Sequence, residues 1–138
     1  MNRKSLQKQL DTAMSLYVRA RDQYCVLCGD PQNLTNGHLF TRAAKSVRWD
    51  ELNCHTQCYT CNMWHEEDQS EYTNWFIDRF GIARYVDLNR KYRTPHKYSL
   101  SELRDMLSTI KGKYDSLIQS NGDIDPNPGL SSDSFNPI

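Results

Sequence analysis

Leu6, Leu10, Ala13, Met14, Tyr17 and Val18 recur at three- and four-residue steps, the period of one helix face, and predict an amphipathic helix over residues 5–23. A similar stripe of Leu100, Leu103, Met106, Leu107 and Ile110 follows Ser99 and Glu102, which stand at capping-box spacing, so residues 99–118 read as a final helix. Tyr72, Trp75, Phe76, Arg79 and Phe80 continue a helical period over 71–80, with Gly81 as its C-cap. Residues 82–92 read as another short helix and 93–98, with Pro95, as a loop. The middle of the chain is different. Residues 34–40 predict a short strand ending near His38, residues 48–57 a second strand behind a turn at 50–53, and residues 58–68 a helix with Cys61 and Asn62 in its first turn.

These elements predict an α+β fold in which a small ββα unit at 25–70 lies between an N-terminal helix (1–24) and C-terminal helices (71–118). From 119 to 138 the chain turns to Ser, Asn, Asp, Gly and Pro and reads as a disordered acidic tail. A length of 138 residues fits one domain with a small core, and 38% hydrophobic residues with a mean hydropathy of −0.79 make a metal staple useful. No run approaches the ~20 apolar residues of a membrane span, and the first ten residues lack the apolar stretch of a signal peptide. The expected location is therefore cytoplasmic. Aromatic side chains at helical spacing, Trp49, Trp64, Tyr72, Trp75 and Phe76, are expected in the core.

The net charge is zero, but its distribution is uneven. Residues 1–49 carry eight Lys/Arg against three Asp/Glu, 50–83 one against seven, 84–114 eight against three, and 115–138 none against four. Two basic segments flank an acidic one, which permits a positive nucleic-acid track beside a patch that attracts cations.

The chemistry concentrates between the two strands. Cys25-x-x-Cys28 and Cys58-x-x-Cys61 supply four thiolates at the spacing of a structural Zn²⁺ site, and Gly29 after the second ligand lets backbone amides turn toward the sulfurs. Four of five cysteines in such pairs suit a reducing compartment better than a disulfide set; Cys54 is left over as a small semi-buried residue. His38, Asn53 and Asn62 follow one another at steps of fifteen and nine residues, which resembles the His-Asn-Asn version of the HNH nuclease motif on a treble-clef-like zinc unit. In that reading a neutral His38 is the general base if a backbone carbonyl holds its other nitrogen, Asn53 braces the hairpin, and the Asn62 amide oxygen binds a catalytic Mg²⁺ or Mn²⁺. HNH enzymes commonly carry an aspartate ligand before the base, where this chain has Gly37, so another group must fill in. His55 is the first choice, His65 and Glu66 the next. Arg42, Lys45 and Arg48, just after His38, are placed to grip DNA phosphates, and Arg19, Arg21, Arg90, Lys91, Arg93 and Lys97 to extend the track.

Taken together, Leu16-Tyr-Val-Arg-Ala-Arg-Asp22, Cys25-x-x-Cys-Gly29, Gly37-His38-Leu-Phe40, Arg48-Trp-Asp-Glu51, Asn53-x-His-x-Gln-Cys-x-x-Cys-Asn62, Glu71-Tyr72 and Arg79-Phe-Gly81 resemble the phage NinG/Rap family over about residues 10–118. The resemblance implies a glycine before the histidine as a family feature, adds weight to His55, and implies a metal-dependent endonuclease cutting branched DNA such as Holliday junctions and displacement loops during phage recombination. The helix after Asn62 departs from the pattern with Met-Trp-His-Glu-Glu, and the tail has no counterpart. Symmetric junctions suggest a homodimer. Competing readings are a general HNH nicking endonuclease and a zinc module that binds DNA without catalysis.

Overall fold

The structure, a computed structural model, describes residues 2–120. Helix α1 (Arg3–Asp22) opens where the Asn2 side chain accepts the Ser5 backbone N–H at 2.8 Å, and it closes at Gln23 in the left-handed region, φ 64°. Its stripe of Leu6, Leu10, Ala13, Met14 and Val18 is buried against Leu103, Leu107 and Ile110 of α6 (Leu100–Ser120), and Trp49 and Cys54 join the same cluster. The predicted capping box starts α6: the Ser99 backbone N–H donates to Glu102 Oε1 at 2.9 Å and the Glu102 N–H to Ser99 Oγ at 3.1 Å.

Strands β1 (Leu34–His38) and β2 (Cys54–Cys58) form one antiparallel hairpin in the register Leu34↔Cys58 to His38↔Cys54. Every residue of both strands is buried, because helices cover both faces. On one face Thr56 Oγ1 donates to the Val18 carbonyl of α1 at 3.0 Å. Against the other lie α3 (Tyr59–Glu67), which sends Asn62 to Thr35, and α4 (Ser70–Phe80), which sends Tyr72 to Gly37. A second apolar cluster of Leu39, Val47, Tyr72, Phe76 and Leu88 ties the loop after β1 to α4 and α5 (Ile82–Tyr92).

The ββα unit expected from the sequence is thus a two-stranded hairpin with α3 on one side, but several expectations need correction. The second strand begins at Cys54 rather than 48, because residues before it are helical: α2 (Lys45–Arg48) and a 3-10 turn, Glu51–Asn53, whose start Asp50 caps by accepting the Leu52 N–H at 2.9 Å. Trp64 is 63% exposed, on the outer face of α3, whereas Trp49, Tyr72 and Phe76 are buried. Arg19, assigned to the basic track, is 1% exposed, its Nε donating to both the carbonyl and the hydroxyl of Ser15 one helical turn back. Arg21 is paired with Asp22 at 2.8 Å. The tail expected from 119 onward overlaps α6 at its first two residues, and the remainder lies outside the described residues.

Candidate functional site

The four cysteines converge. Cys25 and Cys28 sit in the turn after α1, and the second pair spans the junction of β2 and α3, where Cys58 ends the strand and caps the helix by accepting the Cys61 N–H. Their sulfurs lie within 4.8 Å of one another, and Cys28 Sγ stands 3.7 Å from Cys58 Sγ. Sulfurs around a tetrahedral zinc with bonds of about 2.3 Å stand about 3.8 Å apart, so the cluster could hold zinc with little movement. Gly29 at φ 82° closes the first knuckle, which lets its N–H reach the Cys25 carbonyl at 2.8 Å and the Cys28 N–H approach Cys25 Sγ at 3.5 Å. Burial and the facing Cys25 push the Cys61 thiol far above its ordinary range, while the Asp30 backbone lowers Cys28. Zinc binding must therefore displace protons from this cluster.

His38 ends β1 on the face toward α1. Its Nε2 lies 2.9 Å from the Arg48 carbonyl, which makes Nε2 the protonated nitrogen and leaves a lone pair on Nδ1. That Nδ1 is buried and has no partner among the described residues. Burial, opposed by the Arg48 carbonyl and reinforced by Arg42, lowers the His38 pKa to about 4. The imidazole is therefore neutral at neutral pH.

Asn53, wholly buried, holds the loop that returns from β1. Its Nδ2 donates to the Phe40 carbonyl at 2.9 Å and the Val47 carbonyl at 3.0 Å, and its Oδ1 accepts the Phe40 N–H at 2.8 Å. Residues 40–53 are closed around this one amide, and the Arg48 carbonyl that holds His38 lies within them. Cys54, fully buried rather than half-buried, directs its Sγ to the same carbonyl at 3.5 Å, and burial raises its thiol to about 12.

On the opposite face Asn62 Nδ2 donates to Thr35 Oγ1 at 2.9 Å, so the amide is oriented by the strand. His55 is directed elsewhere than the sequence suggests. Its Nδ1 lies 3.0 Å from Tyr72 Oη, which itself donates to the Gly37 carbonyl at 2.8 Å, and Trp75, Phe76 and Phe80 surround the ring. Burial and the nearby Arg21 lower its pKa to about 3. The remaining edge of His55 borders a cleft of about 530 Å³ lined also by Arg21, Asp22, Trp75 and Arg79. The space beside Gly37 is filled instead by Gln57, which the sequence reading passed over. His65, from α3, places Nε2 3.4 Å from the Leu39 carbonyl, and Glu66 is exposed.

Arg42 and Arg48 are not loose loop cations. Both bind Asp11 of α1, Arg42 at 3.0 Å and Arg48 through Nε at 2.9 Å, and the Trp49 indole N–H donates to the same carboxylate at 2.9 Å. Two guanidinium groups against one carboxylate sum to one positive charge near His38. Lys45 is exposed at the start of α2, beside which the C-terminal end of α5 brings Arg90 and Lys91. Asp11 carried no signal in the sequence and Tyr72 read only as a core aromatic and part of the Glu71-Tyr72 pair, because Asp11 meets Arg42 and Arg48 31 and 37 positions away and Tyr72 meets His55 and Gly37 17 and 35 positions away.

Fold and site define a helix-rich α+β protein with a small two-stranded sheet and a four-cysteine cluster suited to zinc. The chain belongs to the NinG family: the description "Bacteriophage Lambda NinG protein" matches residues 1–119. Protein ninG of Salmonella phage P22 is 31% identical over 115 residues, covering 78% of this chain and 53% of that protein. Protein ninG of Escherichia phage 933W is 33% identical with the same coverage, and that of Escherichia phage lambda is 30% identical with 78% and 52% covered. The chain thus spans about half the length of these relatives. No solved structure matches it. Among the described residues no helix is long and apolar enough to cross a membrane.

Proposed function

We propose that the protein is a metal-dependent endonuclease of the HNH type that cuts branched DNA, such as Holliday junctions and displacement loops, during phage recombination. The observation that carries the reading is the state of His38: a neutral imidazole held at Nε2 by a backbone carbonyl, with a buried Nδ1 lone pair that no described residue uses. A buried acceptor without a partner is costly and calls for a water, ion or substrate atom beside it. In this reading Nδ1 takes a proton from a water as the water oxygen attacks phosphorus, and the bond to the leaving oxygen breaks. The phosphate's negative charge raises the basicity of His38 toward the working range, against the burial that lowers it. Arg42 and Arg48, already oriented by Asp11, draw the phosphate in. Asn62 lies across the hairpin from the His38 ring, so a divalent ion on the α3 side would meet the phosphate only at the end of β1, beside Gly37, and would there neutralise charge on the phosphate and the leaving oxygen. Asn53 acts through position, since it closes the loop that supplies the Arg48 carbonyl. Zinc in the cysteine cluster would pin the turn after α1 to the junction of β2 and α3. Cutting two strands of a symmetric junction is met by a two-fold pair of chains.

The test compares cleavage of a four-way junction and a linear duplex, in Mg²⁺ and in Mn²⁺, by wild type and His38→Ala. Wild type should cut the junction faster, and His38→Ala should lose on the order of 10²- to 10⁴-fold in rate. Equal rates in the two proteins would remove His38 as base, and faster cutting of linear duplex would point to a general nicking enzyme. Tight junction binding with no cleavage by either would favour a non-catalytic zinc module.

A further inference from the structure

Gly37 and Gln57 occupy one space. A Cβ added to Gly37 would lie 1.9 Å from Gln57 Oε1, 2.6 Å from Cδ and 2.8 Å from Cγ, so the Gln57 side chain crosses from β2 to cover the place a residue-37 side chain would fill. Gln57 is wholly buried, and neither its Oε1 nor its Nε2 has a partner among the described residues. Stranding both ends of a buried amide is costly, and a folded chain seldom accepts it without a ligand or an ordered water.

The surroundings narrow the choice. Thr35, the register partner of Gln57, accepts the Nδ2–H of Asn62, so the two amides flank the same strand residue and face the same layer. His65 lies one turn beyond Asn62 on α3. With its Nε2 donating to the Leu39 carbonyl, the lone pair sits on Nδ1, which is also buried without a partner. Amide oxygens are hard donors and an imidazole nitrogen is an intermediate one, a set that suits Mn²⁺. We propose that Gln57 is a ligand of the divalent ion, its side-chain oxygen reaching from β2 into the space beside Gly37, with Asn62 and His65 supplying the donors from α3; the inference rests on the nuclease reading above. None of these three side chains carries negative charge. The ion keeps its full positive charge toward an incoming phosphate, so DNA strengthens its binding.

The test measures Mn²⁺ binding to the zinc-loaded full chain by electron paramagnetic resonance, with junction cleavage followed in parallel. Gln57→Leu should weaken Mn²⁺ binding by about tenfold or more with zinc content unchanged. His38→Ala should bind Mn²⁺ like wild type while failing to cleave. Because Gln57→Leu could disturb the hairpin, two further variants keep the outcome decisive: Gln57→Glu, and Gln57→Ala combined with Gly37→Asp, each restoring an oxygen donor to the same space. Both should bind Mn²⁺ at least as tightly as wild type. Unchanged binding by Gln57→Leu, failure of both restoring variants, or no Mn²⁺ binding by wild type would overturn the assignment. If Gln57→Leu binds and cuts like wild type, the ligand is wrong and the nuclease reading stands. If Mn²⁺ binding depends on Gln57 but wild type cuts no DNA, the nuclease reading falls and the ion site stands.

Discussion

The α1–α6 pair and the hairpin with α3 are both buried, and they bury opposite things. Between α1 and α6 the covered residues are Leu6, Leu10, Ala13, Met14, Val18, Leu103, Leu107 and Ile110. In the hairpin they include Thr35, Asn36, His38, His55, Thr56 and Gln57. All five buried side-chain polar atoms left without partners among the described residues lie on the hairpin or on the α3 residue His65. Apolar burial stabilises the helical pair without help, in proportion to the area removed from water. The hairpin is arranged around buried polar atoms for which the described residues supply no partner. One region is closed by apolar contacts; the other holds buried polar atoms that the described residues leave open to a ligand or a water.

The strongest way to break this contrast is to remove the zinc that the four cysteines are suited to hold. Chelating zinc, or Cys58→Ser, should abolish the ordered hairpin, since structural zinc contributes on the order of 10–16 kcal/mol of apparent binding energy that is also folding energy. Near-ultraviolet circular dichroism should collapse while most far-ultraviolet helix signal from α1 and α6 survives. A metal-free protein with an unchanged near-ultraviolet spectrum would show that the hairpin stands alone.

The reciprocal change is Leu10→Ala, at the centre of the α1–α6 stripe. It should lower stability by roughly 2–5 kcal/mol, seen as a lower urea midpoint, yet leave zinc content at the wild-type level. A loss of zinc in this variant would mean that the two regions are not energetically separate.

Acid should discriminate between them as well. His38, lowered to about 4 chiefly by burial, stays neutral in the folded state where the unfolded chain, with an ordinary histidine near ~6.5, takes up a proton. The unfolded state therefore binds more protons between those values. The stabilising effect is present above about pH 6.5 and is lost as the pH falls toward 4, by roughly 3 kcal/mol for this residue. His55, lowered to about 3 by burial and by Arg21, acts in the same direction. Stability curves of wild type and His38→Gln should converge as the pH falls through this window; parallel curves would contradict the burial of a neutral ring.

The mildest test is Gly37→Ala. One methyl group meets the end of the Gln57 side chain and should cost about 1–3 kcal/mol as overpacking. The same methyl in a Gln57→Ala background should cost much less, a non-additivity that reports their direct contact. Equal costs in both backgrounds would mean that Gln57 does not lie over Gly37.

Periodicity made the helices legible, and pairing of the CxxC motifs made the cysteine cluster legible, because both signals are local and repeated. Ser99 and Glu102 even announced the start of α6. The start of β2 was less visible: Arg48 and Trp49, expected at its head, end and cap the helical turn α2, and Asp50 caps the next turn. Arg19 reads as a surface cation until its place on the buried side of α1 is known. Gln57 could not be found from spacing, because its significance arises only from the register that sets β2 against β1 and from the missing side chain at Gly37. Trp64 misleads in the opposite sense, since the short α3 has too few turns for its outer face to be told from its inner one.

Asp11 carries a practical lesson for anyone wishing to isolate a minimal cysteine-and-hairpin fragment. Residues 25–70 contain the cysteines, the hairpin and α3, and look excisable. Yet Arg42, Arg48 and the Trp49 indole would leave that excision with their shared acceptor cut away, because it belongs to the middle of the N-terminal helix. A graft of this unit into another scaffold would have to bring that carboxylate along or rebuild it in place.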